Sequence, residues 1–143
     1  MRDGAGKGAP SVAVTLSNPL GRVHIYEEAL SAAAGFYARE CRGVAGVAAR
    51  SVPDGIAELL GLENIHRGVQ IQVTEGQLVV SLFVIVEYGV NIFQVARGVM
   101  ERVKYGLEHL SGLSVDRIHV HIQGVRVPSP RPRRPREALG RRG

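Results

Sequence analysis

The sequence predicts an α+β fold: a two-layer sandwich in which a mostly antiparallel sheet of four to five strands carries two main helices on one face. Two segments, 26–41 and 91–111, place apolar residues at the 3.6-residue spacing of an amphipathic helix. A hairpin signal lies between them, where two apolar runs are joined by Glu75 and Gly76. Because that hairpin interrupts the alternation of helix and strand, the order favours an antiparallel sheet over a parallel α/β fold.

The composition fits one soluble domain followed by a charged tail. The 143 residues are 45% hydrophobic and include one cysteine, so no intramolecular disulfide can form. The net charge of +5 belongs to residues 128–143, which hold six arginines and one glutamate, and the remainder is neutral. We therefore expect a flexible leader at 1–18, rich in Gly, Ala, Pro and Ser, a folded domain at 19–127 and a disordered Arg/Pro-rich tail at 128–143.

Neither a signal peptide nor a membrane span is expected. The segment 1–16 has Arg2 and Lys7 but no long apolar core. The longest apolar stretch, around 78–86, is broken by Ser81, whereas a spanning helix needs about 20 predominantly apolar residues. These patterns predict a cytoplasmic protein.

The first helical segment follows a short predicted strand at 22–25. Glu27 and Glu28 lie in the first turn of the helix, where the helix dipole favours carboxylates, and Gly43 ends the helix. The spacing places one set of residues on its buried face: Ala29, Leu30, Ala33, Phe36, Tyr37 and Cys41. A strand at 44–51 and a short helix at 55–62, capped by Asp54, are predicted next.

The hairpin that follows contains a strand that is apolar on both faces. Its first strand, at 69–74, alternates apolar and polar residues and so has one wet face. The return strand, at 78–88, carries Val79, Phe83 and Ile85 on the face opposite its core residues Val80, Leu82, Val84 and Val86. If both helices cover one face, these three side chains need another cover, and a second copy of the chain is an expected partner.

The second helix and the last strand complete the predicted domain. Gly89 ends the central strand, and Asn91 with Gln94 forms a capping-box pattern. The helix then aligns Ile92, Val95, Ala96, Val99, Val103, Leu107 and Leu110 on one face and ends at Gly112. In the strand at 115–127, Ile118, Val120 and Ile122 face inward, whereas His119, His121 and Gln123 face outward.

Three groups of residues are candidates for chemistry, and none forms a complete site. His119 and His121 share a strand face, but the spacing places no third or fourth zinc ligand beside them. Cys41 lies near a helix C-terminus, where the dipole disfavours a thiolate. Glu87 and Tyr88 lack a second carboxylate for general acid–base work. We therefore expect no catalytic residue, no metal and no cofactor.

Two features leave nucleic-acid binding as an alternative function. Gly43 and Gly46 match the G-x-x-G loop with which KH modules clamp a phosphate backbone, although here the motif leads into a strand. The tail is the stronger feature, because arginines bind RNA, anionic lipid or acidic protein surfaces. Its arginines are Arg131, Arg133, Arg134, Arg136, Arg141 and Arg142. The alternative interpretation of the tail is a disordered, solubilising end.

Several stretches of the sequence resemble a known family. They are G-R-V-H-I at 21–25, G-V-A-G-V-A at 43–48, V-E-Y-G-V-N-I at 86–92 and L-S-G-L-S-V-D-R-I-H-V-H-I-Q-G-V at 110–125. From 20 to 127 the chain resembles the alkaline-shock-protein family of Gram-positive bacteria, the envelope stress response proteins. A further stretch, G-I-A-E-L-L-G-L-E-N-I-H-R-G-V at 55–69, resembles the subgroup commonly encoded beside a dihydroxyacetone-kinase-like, fatty-acid-kinase-type protein.

The resemblance implies no enzymatic activity, cofactor or catalytic residue. It implies a small cytoplasmic interaction protein of cell-envelope homeostasis, with the kinase-like protein or a membrane-anchored protein as partner. Two features depart from the family pattern: Tyr26 replaces a small polar residue before the first helix, so a side-chain cap is expected to be missing, and the Arg/Pro tail is not a family hallmark. We expect partner contacts at Val79, Phe83 and Ile85, and at His119, His121 and Gln123.

Overall fold

The fold follows the predicted order with one additional strand at its start. The computed structural model describes residues 11–49 and 59–128. Its elements are β1 Val12–Asn18, β2 Gly21–Tyr26, α1 Glu27–Arg39, β3 Val44–Val47, a 3-10 helix Leu62–Gly68, β4 Val69–Thr74, β5 Gln77–Glu87, α2 Ile92–Ser111 and β6 Ser114–Arg126. The predicted fold class, an α+β sandwich with mostly antiparallel strands, is confirmed.

Strand β5 is the centre of the four-stranded sheet. One edge of β5 pairs along its length with β6 in parallel, because α2 crosses over the sheet between these two strands. Two strands pair with the other edge of β5, both antiparallel. Strand β4 pairs with the first half of β5, and strand β3 pairs with the second half. The β4–β5 turn uses Glu75 and Gly76 at φ 52° and 79°, the left-handed conformation of a tight hairpin.

Both helices pack on the same face of this sheet. The inward residues of β5, namely Leu78, Val80, Leu82 and Val84, are fully buried. They share one apolar cluster with Leu30, Ala34 and Ala38 of α1 and with Val99, Val103 and Leu107 of α2. Burial of this cluster is the main favourable term in folding. It leaves the opposite face of β5 without a helix among the described elements.

The N-terminal hairpin corrects the predicted leader. Residues 1–10 lie outside the described part of the chain, but Val12–Asn18 forms β1 and pairs antiparallel with β2, so the folded domain extends to positions before 19. The Asn18 side-chain oxygen accepts the backbone N–H groups of Leu20 at 2.8 Å and Gly21 at 3.2 Å, and so closes the turn. The predicted leader was wrong at 12–18 because the alternation V-A-V-T-L at 12–16 forms a strand despite the small residues around it.

Helix α1 buries a face that only partly matches the predicted one, since Leu30 is buried and Ala33, Tyr37 and Cys41 pack against the core. It begins after Tyr26, which makes no side-chain cap hydrogen bond, as expected. Its buried residues are Leu30, Ser31, Ala34, Gly35 and Ala38, whereas Ala29 and Phe36 are exposed. The 3-10 helix determines this orientation, because its Ile65 packs against Gly35. An alanine-rich helix presents similar apolar residues on adjacent faces, so periodicity alone did not select the correct one.

The predicted helix at 55–62 lies largely outside the described residues, and its described end is not helical. Leu59 forms a bridge with Ala48, and the Leu60 N–H donates to the Val47 carbonyl at 2.8 Å. The 3-10 helix begins only at Leu62. Strand β3 ends at Val47, so it is shorter than the predicted strand at 44–51.

Helix α2 agrees closely with its prediction. Asn91 Oδ1 accepts the backbone N–H of Gln94 at 3.0 Å, and Gly112 ends the helix in the left-handed conformation at φ 77°. The central residues of the predicted face, Val99, Val103 and Leu107, are buried. Ile92 and Leu110, at the two ends of the helix, are exposed.

Candidate docking face

The candidate site is the sheet face that points away from both helices, which we call the outer face. Side chains of β4, β5 and β6 alternate between the core and this face, so the strand register determines its members. In strand order they are Gln70 and Gln72; Val79, Ser81, Phe83 and Ile85; and Arg117, His119 and His121. Five of the six domain residues predicted to contact partners therefore lie on one surface.

Phe83 and His121 form the centre of the outer face. They are cross-strand neighbours in the β5–β6 pair, and their rings stack with centroids 4.4 Å apart and planes 9° from parallel. In the same register Val79 lies beside Arg117, and Ser81 lies beside His119. Val79 and Phe83 are half-buried, so apolar surface remains accessible between polar neighbours.

Two of the predicted contact residues differ from the others in position. Ile85 belongs to the outer face but is only 5% exposed, so it adds little accessible surface. Gln123 lies at a β-bulge, where the β5–β6 register shifts after Val84, and its side chain is exposed. The accessible members of the predicted set are therefore Val79, Phe83, the two histidines and Gln123.

The charged groups at the two ends of the outer face are paired within the chain. At one end, Arg117 Nε lies 3.5 Å from Asp116 Oδ2. At the other end, Arg126 donates to both carboxylate oxygens of Glu87, at 3.3 and 2.7 Å. Such exposed pairs contribute little to stability. The guanidinium groups at the two ends are thus matched by carboxylates of the same chain.

The residues considered for catalysis or metal binding do not converge. The Glu87 carboxylate is held by Arg126, and Tyr88 is exposed in the turn after β5. Cys41 is half-buried between the helices, where burial raises the pKa of its thiol and nearby Arg102 partly offsets that rise. Within residues 11–49 and 59–128, no three His, Cys, Asp or Glu side chains lie together as a metal site requires.

A cleft of about 880 Å³ opens between the C-terminus of α1 and the N-terminus of α2 and includes Cys41 in its wall. Its one carboxylate, Glu40, accepts a hydrogen bond from Arg102 at 2.6 Å. Among the described lining residues no histidine accompanies Cys41.

The G-x-x-G motif does not form the exposed clamp that a KH-type loop requires. Gly43 takes φ 91° in the turn after α1, and Gly46 is buried within β3. A Cβ on Gly46 would lie 2.8 Å from Leu59 Cδ2, so this glycine permits close packing. The buried position of Gly46 does not support the loop part of the nucleic-acid alternative, which stays a prediction, and the tail arginines that carry its other part lie outside the described residues.

Comparison with known proteins places the chain in a family. A family model of cell envelope-related function, that of alkaline shock protein 23, matches residues 15–127. The chain belongs to the alkaline shock protein 23 family. This agrees with the resemblance of the motifs at 21–25, 43–48, 86–92 and 110–125, and it associates the chain with the cell envelope.

Three similar proteins, from Bacillus subtilis and Streptococcus pyogenes, match most of the chain. Uncharacterized protein YloU of Bacillus subtilis is 36% identical over 120 residues, which are 83% of this chain and 100% of YloU. Uncharacterized protein Spy1614 of Streptococcus pyogenes serotype M6 is 31% identical over 115 residues, 80% of this chain and 95% of that protein. YqhY of Bacillus subtilis is 31% identical over 106 residues, 74% of this chain and 78% of YqhY. None of these names states a catalytic activity.

The family assignment gives the chain an envelope-related role, and the geometry adds what the sequence alone missed. Gln70, Gln72, Ser81 and Arg117 were not among the predicted contact residues. The alternation of these residues with core residues was visible in the sequence, but their grouping depends on the register of three strands.

In the described part of the chain, no helix combines the length and apolarity that crossing a bilayer requires.

Proposed function

We propose that this alkaline shock protein 23 family member is a non-catalytic cytoplasmic accessory protein of the cell envelope, which acts as a scaffold by binding proteins through its outer face. One observation carries the proposal: the central strand β5 is apolar on both faces, and within residues 11–49 and 59–128 the helices cover only one of them. An uncovered apolar sheet centre with polar neighbours is typical of a protein contact surface.

The first occupant we propose for the outer face is a second copy of the chain. Sheets pack face to face at about 10 Å through interlocking apolar side chains. Val79, Phe83 and the stacked His121 ring supply such a centre. Because Arg117 and Arg126 are each paired with a carboxylate of their own chain, two outer faces do not repel each other through unpaired charge.

A second protein is part of the proposed function. The resemblance of residues 55–69 to the subgroup encoded beside a dihydroxyacetone-kinase-like protein supports that kinase-type protein as partner. A membrane-anchored protein is the other partner that the family resemblance supports. In either case the chain regulates or positions its partner and does no chemistry itself.

Site-specific photo-crosslinking tests the proposal. A photoreactive benzoylphenylalanine is placed at Val79 on the outer face, or at Tyr105, which is exposed on α2, as the matched control. We expect irradiation of cells to give a discrete adduct from position 79 and none from position 105. An adduct of twice the chain's mass identifies self-association, and one that contains the kinase-type protein identifies that partner. Absence of any adduct at 79, or equal yields at both positions, overturns the proposed docking face.

A further inference from the structure

Strand β6 is a long strand at the edge of the four-stranded sheet. It spans 13 residues, and within residues 11–49 and 59–128 it pairs with β5 only. Its register against β5 shifts near both ends and is regular between Arg117 and Ile122. An edge strand of this length presents a row of backbone N–H and C=O groups to which a further strand can pair.

The core-facing residues of β6 direct their backbone groups to this open edge. The Val115 N–H donates to Glu108 Oε2 at 2.9 Å, and the Val115 carbonyl oxygen accepts from Lys104 Nζ at 3.5 Å, so Val115 binds side chains of α2. Residues on one face of a strand direct their backbone groups to the same side. The core-facing residues 118, 120 and 122 therefore direct theirs away from β5 as well, whereas 119 and 121 direct theirs to β5.

A groove of about 360 Å³ lies between the edge of β6 and helix α2, and we call it the edge groove. Met100 of α2 and Val115 and Ile118 of β6 supply its apolar wall. Met100 is 39% exposed, and Ile118 is only partly buried although it packs against the core. Accessible apolar side chains therefore lie directly beside open backbone groups.

The charged residues among the described lining of the edge groove are each paired within the chain. These pairs are Lys104–Glu108 at 2.8 Å, Arg117–Asp116 at 3.5 Å and Glu101–Arg97 at 3.8 Å. A charged occupant would have to displace one of these partners to gain a pair of its own. The groove therefore favours an occupant with apolar, uncharged side chains.

We propose that the edge groove binds an extended, uncharged segment of a partner protein, which adds a strand to β6 and places apolar side chains against Met100 and Ile118. In this mode of recognition, main-chain hydrogen bonds give affinity and pockets for alternate side chains give specificity. The segment also covers the partly buried core residues Val120 and Ile122, which the sheet edge leaves accessible.

A single strand fits the edge groove better than the edge of a second copy. Antiparallel pairing of two β6 strands about a twofold axis would bring both α2 helices to the same side of the junction. A helix is about 10 Å across with its side chains, whereas the groove has room for only a few side chains.

This inference does not rest on the proposed function. The edge groove lies at the side of the sheet and meets the outer face only at Arg117 and His119. Phe83, at the centre of the outer face, does not line the groove.

Hydrogen exchange of the full chain, followed by NMR in dilute solution, tests whether the edge is open. We expect the backbone amides of Ile118, Val120 and Ile122 to exchange at least about tenfold faster than those of His119 and His121, which are bonded to β5. Equal protection of the two sets would show that the edge is already covered in the free chain, and it would overturn the inference.

Binding is tested with a phage-displayed library of random dodecapeptides, panned against the full chain. We expect the enriched peptides to carry apolar residues at alternate positions and few charges. Synthetic copies should bind the Val120→Pro and Met100→Glu variants about tenfold more weakly than the wild type, and should bind Tyr105→Glu and Phe83→Glu as they bind the wild type.

The two groove variants keep the test independent of folding. Val120→Pro removes an N–H that faces the open edge, a position where proline is tolerated in a sheet, and Met100 lies on an exposed part of α2. Circular dichroism checks that both are folded. The inference is overturned if no peptide is enriched, if the peptides bind both folded groove variants as tightly as the wild type, or if Phe83→Glu abolishes binding, which would assign the peptides to the outer face.

Discussion

Gly68→Ala should lower the free energy of unfolding by about 2 to 3 kcal/mol, the largest effect expected from so small a change. Gly68 is the last residue of the 3-10 helix. It packs against Val47, the last residue of β3, and against Ala48, which follows β3. A Cβ at this position would overlap the Ala48 carbonyl oxygen and Val47 Cγ1. Because the carbonyl belongs to the backbone, it cannot rotate aside as a side chain would, and the 3-10 helix must shift. Urea unfolding monitored by circular dichroism measures the loss.

Gly98→Ala is the matched control for this prediction and should change stability in the opposite direction. Gly98 lies inside α2, and among the described residues no heavy atom beyond its chain neighbours and the adjacent helix backbone is within 4 Å of the position that its Cβ would occupy. Replacing an interior helical glycine with alanine stabilises a helix by about 0.5 to 1 kcal/mol, since it lowers the entropy of the unfolded chain. Equal stabilities of the Gly68→Ala variant and the wild type would contradict the packing described for the 3-10 helix.

Leu82→Ala should destabilise the domain by about 3 kcal/mol, whereas Phe83→Ala should cost less than half of that. The two residues are consecutive in β5 and point to opposite faces. Leu82 is fully buried beneath the helices and pairs with Val69 on β4 and Val120 on β6. Phe83 is half-buried on the outer face, where its chief contact is the stacked ring of His121.

The comparison between these two variants is made by urea unfolding of dilute protein, so that association does not contribute to stability. The order of the two losses follows from the absence of a helix over the outer face within the described residues. If Phe83→Ala cost as much as Leu82→Ala in dilute protein, the outer face would be covered inside the single chain, and it would not be available to a partner.

Local sequence signals were sufficient for the elements whose structure depends on near neighbours. The Glu75–Gly76 turn and the Asn91 cap depend on residues within three or four positions, and both were predicted correctly. The two-sided apolar character of β5 also follows from alternation alone, and it led to the outer face. Strand β1 has the same kind of local signal, with the Asn18 turn beside it, and was missed because of its small residues.

The features that the sequence did not predict are the ones that depend on tertiary contacts. The buried face of α1 depends on the 3-10 helix, in which Ile65 lies against Gly35, and no periodicity within α1 reveals that contact. The same holds for the candidate site. Phe83 and His121 are far apart in the sequence, and only the parallel register of β5 and β6 stacks them as one surface. The two groups of residues predicted to contact partners therefore lie mostly on one sheet face, and their contact with a partner stays a prediction.

The measurement that tests the central claim most directly is sedimentation velocity over a wide range of protein concentration. It compares the wild type with Phe83→Glu on the outer face and with Tyr105→Glu on α2, after circular dichroism has shown that all three are folded. The account predicts that the wild type and Tyr105→Glu pass from monomer to dimer as concentration rises. Phe83→Glu should stay monomeric, because association would remove a carboxylate from water at the centre of an apolar contact. A wild type that stays monomeric at every concentration, or a Phe83→Glu variant that dimerises as the wild type does, would contradict it.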